Sequence, residues 1–389
     1  MSRLFGVITP LNSNTKLKNV ENVVPVPTYD KTDPWELKML YAVSKCKRSL
    51  TFFRIVFIGT NFVTFLYIAI GKTMLYNQQE FFTNLIVLIM SELSDLVLLI
   101  VMSVGAFKLA NGTELLDVFR FFHSNRHGTK QLKACASIHI LRFLPLLPLG
   151  AQMYFLALRI GWQYFLPPDL WFYSLNWMIC SSACIIAKFK THFSTTNDHL
   201  EDLVTAYENH SPFTEEKLKY IILHYNKLCN NLDKFNDHIK LFLVVSFASI
   251  ITNILSNCTA IIEYGIMRKT VKGMTAQVGV LIVQTLLILT SFSQAGLCAM
   301  LGENLEKEGE KTMNICYSFV DRTLGKTLKA NSDHDKRLVN LINRLLELTK
   351  SRKICVHAGG FFRLNWSILG SIVSTVATYS IVIVQFIFK

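Results

Sequence analysis

"GGFFRLNWSILGSIVSTVATYSIVIVQFIFK", residues 359–389, is an apolar run of helix length with a threonine, a tyrosine and a glutamine set into its last third. On a helix each residue advances by about 100°, so positions 367, 371, 374, 375, 378 and 385 fall within one arc of roughly 100°. Their occupants are Ser367, Ser371, Ser374, Thr375, Thr378 and Gln385, while the other faces carry Ile368, Leu369, Ile372, Val373, Val376, Ile381 and Val384. An apolar helix with one hydroxyl and amide stripe must turn that stripe to protein or to water, because an unmet polar group in hydrocarbon costs several kcal/mol. Two arrangements satisfy this. Small hydroxyl residues let helices approach and hydrogen-bond across an interface, or the stripe lines a wet pore with Gln385 near its outer mouth. Periodicity alone does not choose between them.

The rest of the chain agrees with a membrane setting. Of 389 residues, 51% are hydrophobic and 17% charged, with a positive mean hydropathy, which is too apolar for an ordinary soluble globular chain. The net charge of +13 does not imply nucleic acid, because the basic residues fall in the gaps between apolar runs and form no patch interleaved with aromatics. Nine scattered cysteines lack the spacing of a disulfide framework or a zinc site. The polar first segment, with Pro25, Pro27 and Pro34, lacks the pattern of a cleavable signal and reads as cytosolic.

Stretches of about 20 apolar residues, enough to cross the hydrocarbon core, occur seven times: 52–70, 82–107, 138–158, 170–187, 241–264, 278–301 and 364–388. An all-α protein with seven transmembrane helices is expected. Eight Lys/Arg precede residue 49, and the second connection carries Lys108, Arg120, Arg126, Lys130 and Lys133, against Lys72 and Arg159 alone in the first and third. Positive residues in short flanking loops stay inside, so the N-terminus is expected in the cytosol and the C-terminus outside. Arg268, Lys269 and Lys272 dissent, since they then lie in an outer loop.

Two long connections fall on the cytosolic side by this assignment. In "HDKRLVNLINRLLELTK", residues 334–350, Leu338, Leu341, Ile342, Leu345 and Leu348 recur at helical spacing. Leu218, Ile221, Ile222, Tyr225, Leu228 and Leu232 do the same, and Phe235, Ile239 and Leu243 continue the stripe toward the fifth span. Both read as membrane helices extended into the cytosol and packed on one another. The expected organisation is a cytosolic segment 1–48 and a channel domain 49–389, with helical extensions 189–240 and 302–360 and a last helix within 361–389. Gly359 and Gly360 interrupt the seventh element, which is therefore expected as two helices.

Thr378, Tyr379, five residues, Gln385 and Phe386 resemble the TYhhhhhQF signature of the seventh helix of insect gustatory receptors. The preceding "GGFFRLNWSILGSIVSTVATY" is similar to that family's lead-in; Ser380 departs from the signature, which asks for a hydrophobic residue there. The resemblance implies the insect chemoreceptor fold, a tetramer around one central pore, and an anchor formed between subunits by the cytosolic ends of helices four to seven. It implies that Gln385 and Phe386 belong to the gate and filter, with Val382, Thr375 and Ser371 along the pore, and that Thr378 and Tyr379 couple the helix to its neighbours. By helical arithmetic Ser380 lies opposite Gln385, off the pore. The sugar-receptor branch tends to carry a glutamate after the tyrosine, which is absent here. On this reading the chain ends where its last helix reaches the outside.

The resemblance also implies a tastant pocket in the outer half of each subunit. There the sequence offers Glu92 and Asp95 with Ser91, then Gln152, Tyr154, Asn176, Trp177, Asn253, Asn257 and Gln284. Aromatics with a few amides are what small-molecule sites use, but Trp162, Trp171 and Tyr173 at interfacial depth read as membrane anchors. Glu92 and Asp95 share a helical face in an apolar run, where carboxylates pair, protonate or bind ligand; pairing with Arg142 or Arg54 is the expectation. His123 and His127 lack a third metal ligand, and the glycosylation patterns at Asn111, Asn209, Asn257 and Asn365 fall inside the cytosol or by membrane helices.

No phosphate loop, nucleophile elbow or metalloprotease motif suggests an enzyme, and no cofactor is expected. The expected function is a tastant-gated, non-selective cation channel of the plasma membrane in gustatory neurons, a homotetramer or a heteromer with other gustatory receptors. Bitter or other plant compounds are preferred and a sugar stays open. The alternative is a seven-helix receptor coupled to a G protein, against which stand the inside N-terminus and the missing Asp-Arg-Tyr and Asn-Pro-x-x-Tyr motifs. A transporter would show internal repeat symmetry, which the sequence lacks.

Overall fold

The computed structural model describes residues 47–77, 85–110, 118, 121–122, 143–152, 154, 166–208, 215–263, 274–327 and 333–387. These form eight helices: α1 (Lys47–Asn77), α2 (Leu85–Ala110), α3 (Leu146–Gln152), α4 (Leu166–Glu208), α5 (Glu215–Ile261), α6 (Met274–Thr327), α7 (Asp333–Ser351) and α8 (Trp366–Ile387). Six of them, α1, α2, α4, α5, α6 and α8, are long and apolar enough to cross a membrane. Of the expected span 138–158, residues 143–152, which include α3, and 154 are described; the rest of it lies outside the described residues, as do nearly all of the segment 1–48 and the basic stretch 268–272.

Length separates two kinds of helix. α4, α5 and α6 have 43, 47 and 54 residues, or roughly 65–80 Å at about 1.5 Å per residue, more than twice the about 30 Å of a bilayer core. The stripe that begins at Leu218 lies in such surplus turns of α5, and the stripe of 334–350 lies on α7, a separate helix of 19 residues. Leu218, Leu228 and Phe235 on α5 and Leu338, Ile342 and Leu345 on α7 are all fully buried. Phe193 packs edge-on against Tyr225 at 5.5 Å between centroids, and Tyr207 meets Phe319 at 5.2 Å with its ring tilted by 54°. This extension has an aromatic core of its own. Fully buried Asn197 donates to the Glu308 carbonyl at 2.9 Å and accepts from Thr312 at 2.6 Å, tying α4 to α6 without an unmet polar atom.

Between α7 and α8 the chain makes a short hairpin. The Ala358 N–H donates to the Phe362 carbonyl at 2.9 Å, and the Leu364 N–H to that of Val356 at 2.9 Å. Gly359 and Gly360 have φ of 59° and 86°, the left-handed pair that a tight I′ turn requires. The break expected at the two glycines is therefore wider than a helix interruption: α7 stops at Ser351, and the glycines turn a hairpin whose arms lead back to α8. The hairpin is held from both sides, because the Cys355 carbonyl accepts from buried Asn236 of α5 at 2.9 Å and the α6 backbone at Gly302 lies against Leu364.

Candidate functional site

α8 packs against α5 and α6 through Ile368, Ile372, Val376 and Ile383, all buried. At about 100° per residue these lie on one side. Ser367, Ser371, Ser374, Thr378 and Gln385 lie on the other and are exposed, with Thr375 half-buried at the edge of the stripe. Tyr379, Val382 and Phe386 are exposed too, at 56%, 39% and 62%. α8 buries only 17% of its most apolar window, against 56% for α5, so most of its surface faces away from its own subunit.

The hydroxyls of the stripe have a local solution. Ser371 donates to the Ser367 carbonyl at 3.1 Å and Thr378 to that of Ser374 at 2.9 Å. Such back-bonding lets a hydroxyl sit in an apolar medium. Back-bonding of that kind, as Asn257 uses toward the Asn253 carbonyl, would satisfy only one of the three groups of Gln385, whose primary amide carries two N–H donors and a carbonyl. Ser380 takes the position expected of it: its hydroxyl is buried toward the Cys258 thiol of α5, away from Gln385.

The outer-half candidates separate into pairs. Asp95 is 5% exposed and forms an ion pair with Lys72 of α1, itself 3% exposed, whose ammonium also donates to Ser91 at 2.8 Å. The expected partners were Arg54 or Arg142. Arg142 lies outside the described residues, and Arg54 instead places its guanidinium 5.6 Å from the Phe107 ring centroid. The reason is antiparallel register: Arg54 and Lys72 are 18 residues apart on α1, roughly 27 Å along the axis, so only one of them is level with Asp95. Lys72, assigned to an outer loop from sequence, lies in the last turns of α1, which runs to Asn77. Both Glu92 oxygens are buried without a hydrogen-bond partner, and Asp169 of the first turn of α4 joins the neighbourhood of Asp95 and Lys72.

Asn176, 1% exposed, accepts from the Gln294 amide at 3.0 Å, linking α4 to α6. Asn257 donates to the Asn253 carbonyl on its own helix at 2.7 Å. Gln152 of α3 is buried with an unmet oxygen, and Gln284 of α6 is half-buried with one as well. Tyr154 and Trp177 present 70% and 37% of their surface outward. Trp171 is a correction: it is no interfacial anchor but is 5% exposed, and its indole donates to Asn61 of α1 at 2.7 Å. Trp162, His123, His127, Asn111 and Asn209 lie outside the described residues. Gln294, Lys72 and Asp169 were missed from sequence, although Gln294 carried a signal as an amide inside an apolar span.

The Asn176–Gln294 bond gives a direct test. Replacing Gln294 by leucine leaves the Asn176 carbonyl without its α6 donor inside the bundle, at an expected cost of about 1–3 kcal/mol. Thermal unfolding of the detergent-purified variant reads this cost, and the Asn176→Leu, Gln294→Leu double variant recovers most of it.

A model of the 7tm chemosensory receptor family matches residues 41–389. The chain therefore belongs to the 7tm chemosensory receptor family, an integral membrane family. No curated protein matches it. Among solved structures it is similar to the insect olfactory receptor OR5 from Machilis hrabei, at 15% identity and a TM-score of 0.59, covering 85% of this chain and 88% of that one. The same receptor in complex with eugenol matches at 15% identity and a TM-score of 0.60, covering 90% and 98%. At that identity the likeness shows the fold, and it is the insect chemoreceptor fold that the last helix pointed to.

Proposed function

We propose that this chain is a gustatory receptor subunit, a non-selective cation channel opened by a small-molecule tastant. One observation carries the reading: Gln385 stands exposed on the face of α8 opposite its packing face, at the end of a polar stripe that the subunit's own core does not cover. A group with that hydrogen-bonding demand needs water or a neighbouring copy, and a central pore supplies both. In this arrangement four α8 helices, from identical subunits or a heteromer, surround the axis, and the extensions within 189–240 and 302–360 form the anchor between them. Ser371, Thr375, Thr378, Val382, Gln385 and Phe386 face or flank the conduction path, and Tyr379 couples α8 to a neighbour.

The tastant site is placed in the outer half, among Glu92, Asp95, Gln152, Asn176, Asn253, Asn257 and Gln284, with Tyr154 and Trp177 at its edge. The eugenol complex of the Machilis hrabei receptor supports a small organic ligand. Ser380 in place of the acidic residue expected of sugar receptors supports bitter or other plant compounds over sugars. Opening draws on the ligand's differential affinity for the open and closed states.

The test is whole-cell current from cells of low chemosensory background expressing this chain in the plasma membrane, challenged with a tastant panel while G-protein signalling is blocked. Currents that survive the block, with relative cation permeability shifted by at least about twofold in Gln385→Ala, are the expected outcome; such a pore-lining amide touches every passing ion. Ligand responses abolished by the block would instead establish the G-protein reading.

A further inference from the structure

Where α5, α6 and the end of α7 meet, the helical extension encloses a cavity of about 300 Å³, open on one side. This is within the range of small-molecule sites, and none of the pore or tastant candidates lines it. Its floor is apolar, with Met313 and Ile354, and at the bottom Tyr225 is 1% exposed. The Tyr225 hydroxyl sits beside Thr312 and Cys229 and forms no well-shaped hydrogen bond.

The wall is rich in donors. Lys350, Arg352 and Lys353 stand together, and none of them takes part in an ion pair among the described residues. The Lys350 ammonium lies 5.0 Å from the Tyr317 ring centroid, and Arg352 spends one guanidinium nitrogen on the neutral amides of Asn226 and Asn230. The other guanidinium N–H groups remain available, in a fork suited to oxyanions. Two carboxylates also line the space. Glu306 is 3.7 Å from Arg363, which offsets its charge, and Glu310 is exposed at the rim. The carbonyls at the end of α7, which repel an anion, are partly occupied: Thr349 donates to Leu346, and both Ser351 and the Arg352 N–H donate to Leu348.

From this lining we infer that the cavity is a second ligand site, for a small phosphorylated molecule on the side of the membrane that holds the helical extensions. Its position gives it leverage on α8. Ile354 is pressed on Gly309 so closely that an added Cβ there would come within 2.9 Å of it, and the next residue, Cys355, is bonded to Asn236 of α5. Two residues of the cavity wall, Lys353 and Ile354, thus open the hairpin that leads into α8. A ligand bridging Lys350, Arg352 and Lys353 fixes the far end of that hairpin.

A polyphosphate group reaches the site from two sources, a soluble metabolite or a phosphoinositide headgroup. The full-length chain is purified and its thermal midpoint measured with soluble inositol trisphosphate, and separately in nanodiscs with and without phosphatidylinositol bisphosphate. Ligand that binds only the native state raises the midpoint by mass action. A rise of several degrees is expected with at least one probe, and which probe produces it identifies the source. Lys353→Gln, at an exposed side chain with no hydrogen bond to lose, and Arg352→Gln abolish the rise. Lys307→Gln, which removes equal charge outside this cavity, keeps it. A midpoint unmoved by both probes, or a rise undiminished in Lys353→Gln, overturns the site. The readout does not depend on channel activity, so it stands apart from the proposed function.

Discussion

Asp95→Ala destabilises the folded protein by about 3–5 kcal/mol, because it leaves the Lys72 ammonium buried without its counter-charge. Lys72 is 3% exposed and sits between α1 and α2, so water cannot replace the lost carboxylate. Ser91 remains as its hydrogen-bond acceptor, and a hydroxyl does not neutralise a cation; the Glu92 and Asp169 carboxyls lie nearby but form no ion pair with it among the described residues. The expected observation is loss of the monodisperse peak when the detergent-solubilised variant is run by size exclusion, together with a lowered thermal midpoint. Replacing both partners with apolar groups of similar volume, Lys72→Met with Asp95→Leu, removes two buried charges at once and restores most of the stability. A double variant as unstable as Asp95→Ala would show that the pair contributes more than mutual neutralisation, for instance through Asp169 and Glu92 nearby.

The second large effect is at Gly302. A Cβ there would stand 1.9 Å from the Leu364 carbonyl oxygen and 2.6 Å from the Leu364 Cβ. Neither is the far end of a flexible side chain, so α6 and the hairpin must separate. Gly302→Ala is therefore expected to cost several kcal/mol if the contact is kept, in the manner of overpacking at backbone contacts, or to release the hairpin if it is not. Cysteine-accessibility labelling at position 358, fully buried in the hairpin arm, distinguishes these. Its rate rises when the hairpin is released and is unchanged when the strain is absorbed. Gly370→Ala is the control, since an added Cβ there meets nothing within 4 Å. Where currents are measurable, Gly302→Ala also shifts the gating equilibrium, because the displaced segment leads directly into α8.

Much of this architecture was legible before any coordinates. The stripes on α5 and α7 are read from leucine and isoleucine spacing because burial in a helical bundle is periodic. The division of α8 is likewise helical geometry: Ile368, Ile372 and Val376 inward, Ser371, Thr378 and Gln385 outward. The paired glycines announced a break, since only glycine takes two positive φ values in succession at little cost.

Local periodicity and composition encode which segments are helical, which of their faces are apolar, and that the last helix carries a polar stripe. The partners follow from how the helices pack. Lys72 rather than Arg54 meets Asp95, Gln294 meets Asn176, and Trp171 turns inward to Asn61, because each pairing depends on the register and relative height of helices far apart in the chain. The same is true of the cavity beneath the hairpin. Its tyrosine comes from α5 and its cations from the end of α7 and the residues just after it, more than a hundred residues away, and no spacing rule along one helix reports what a distant segment brings alongside it.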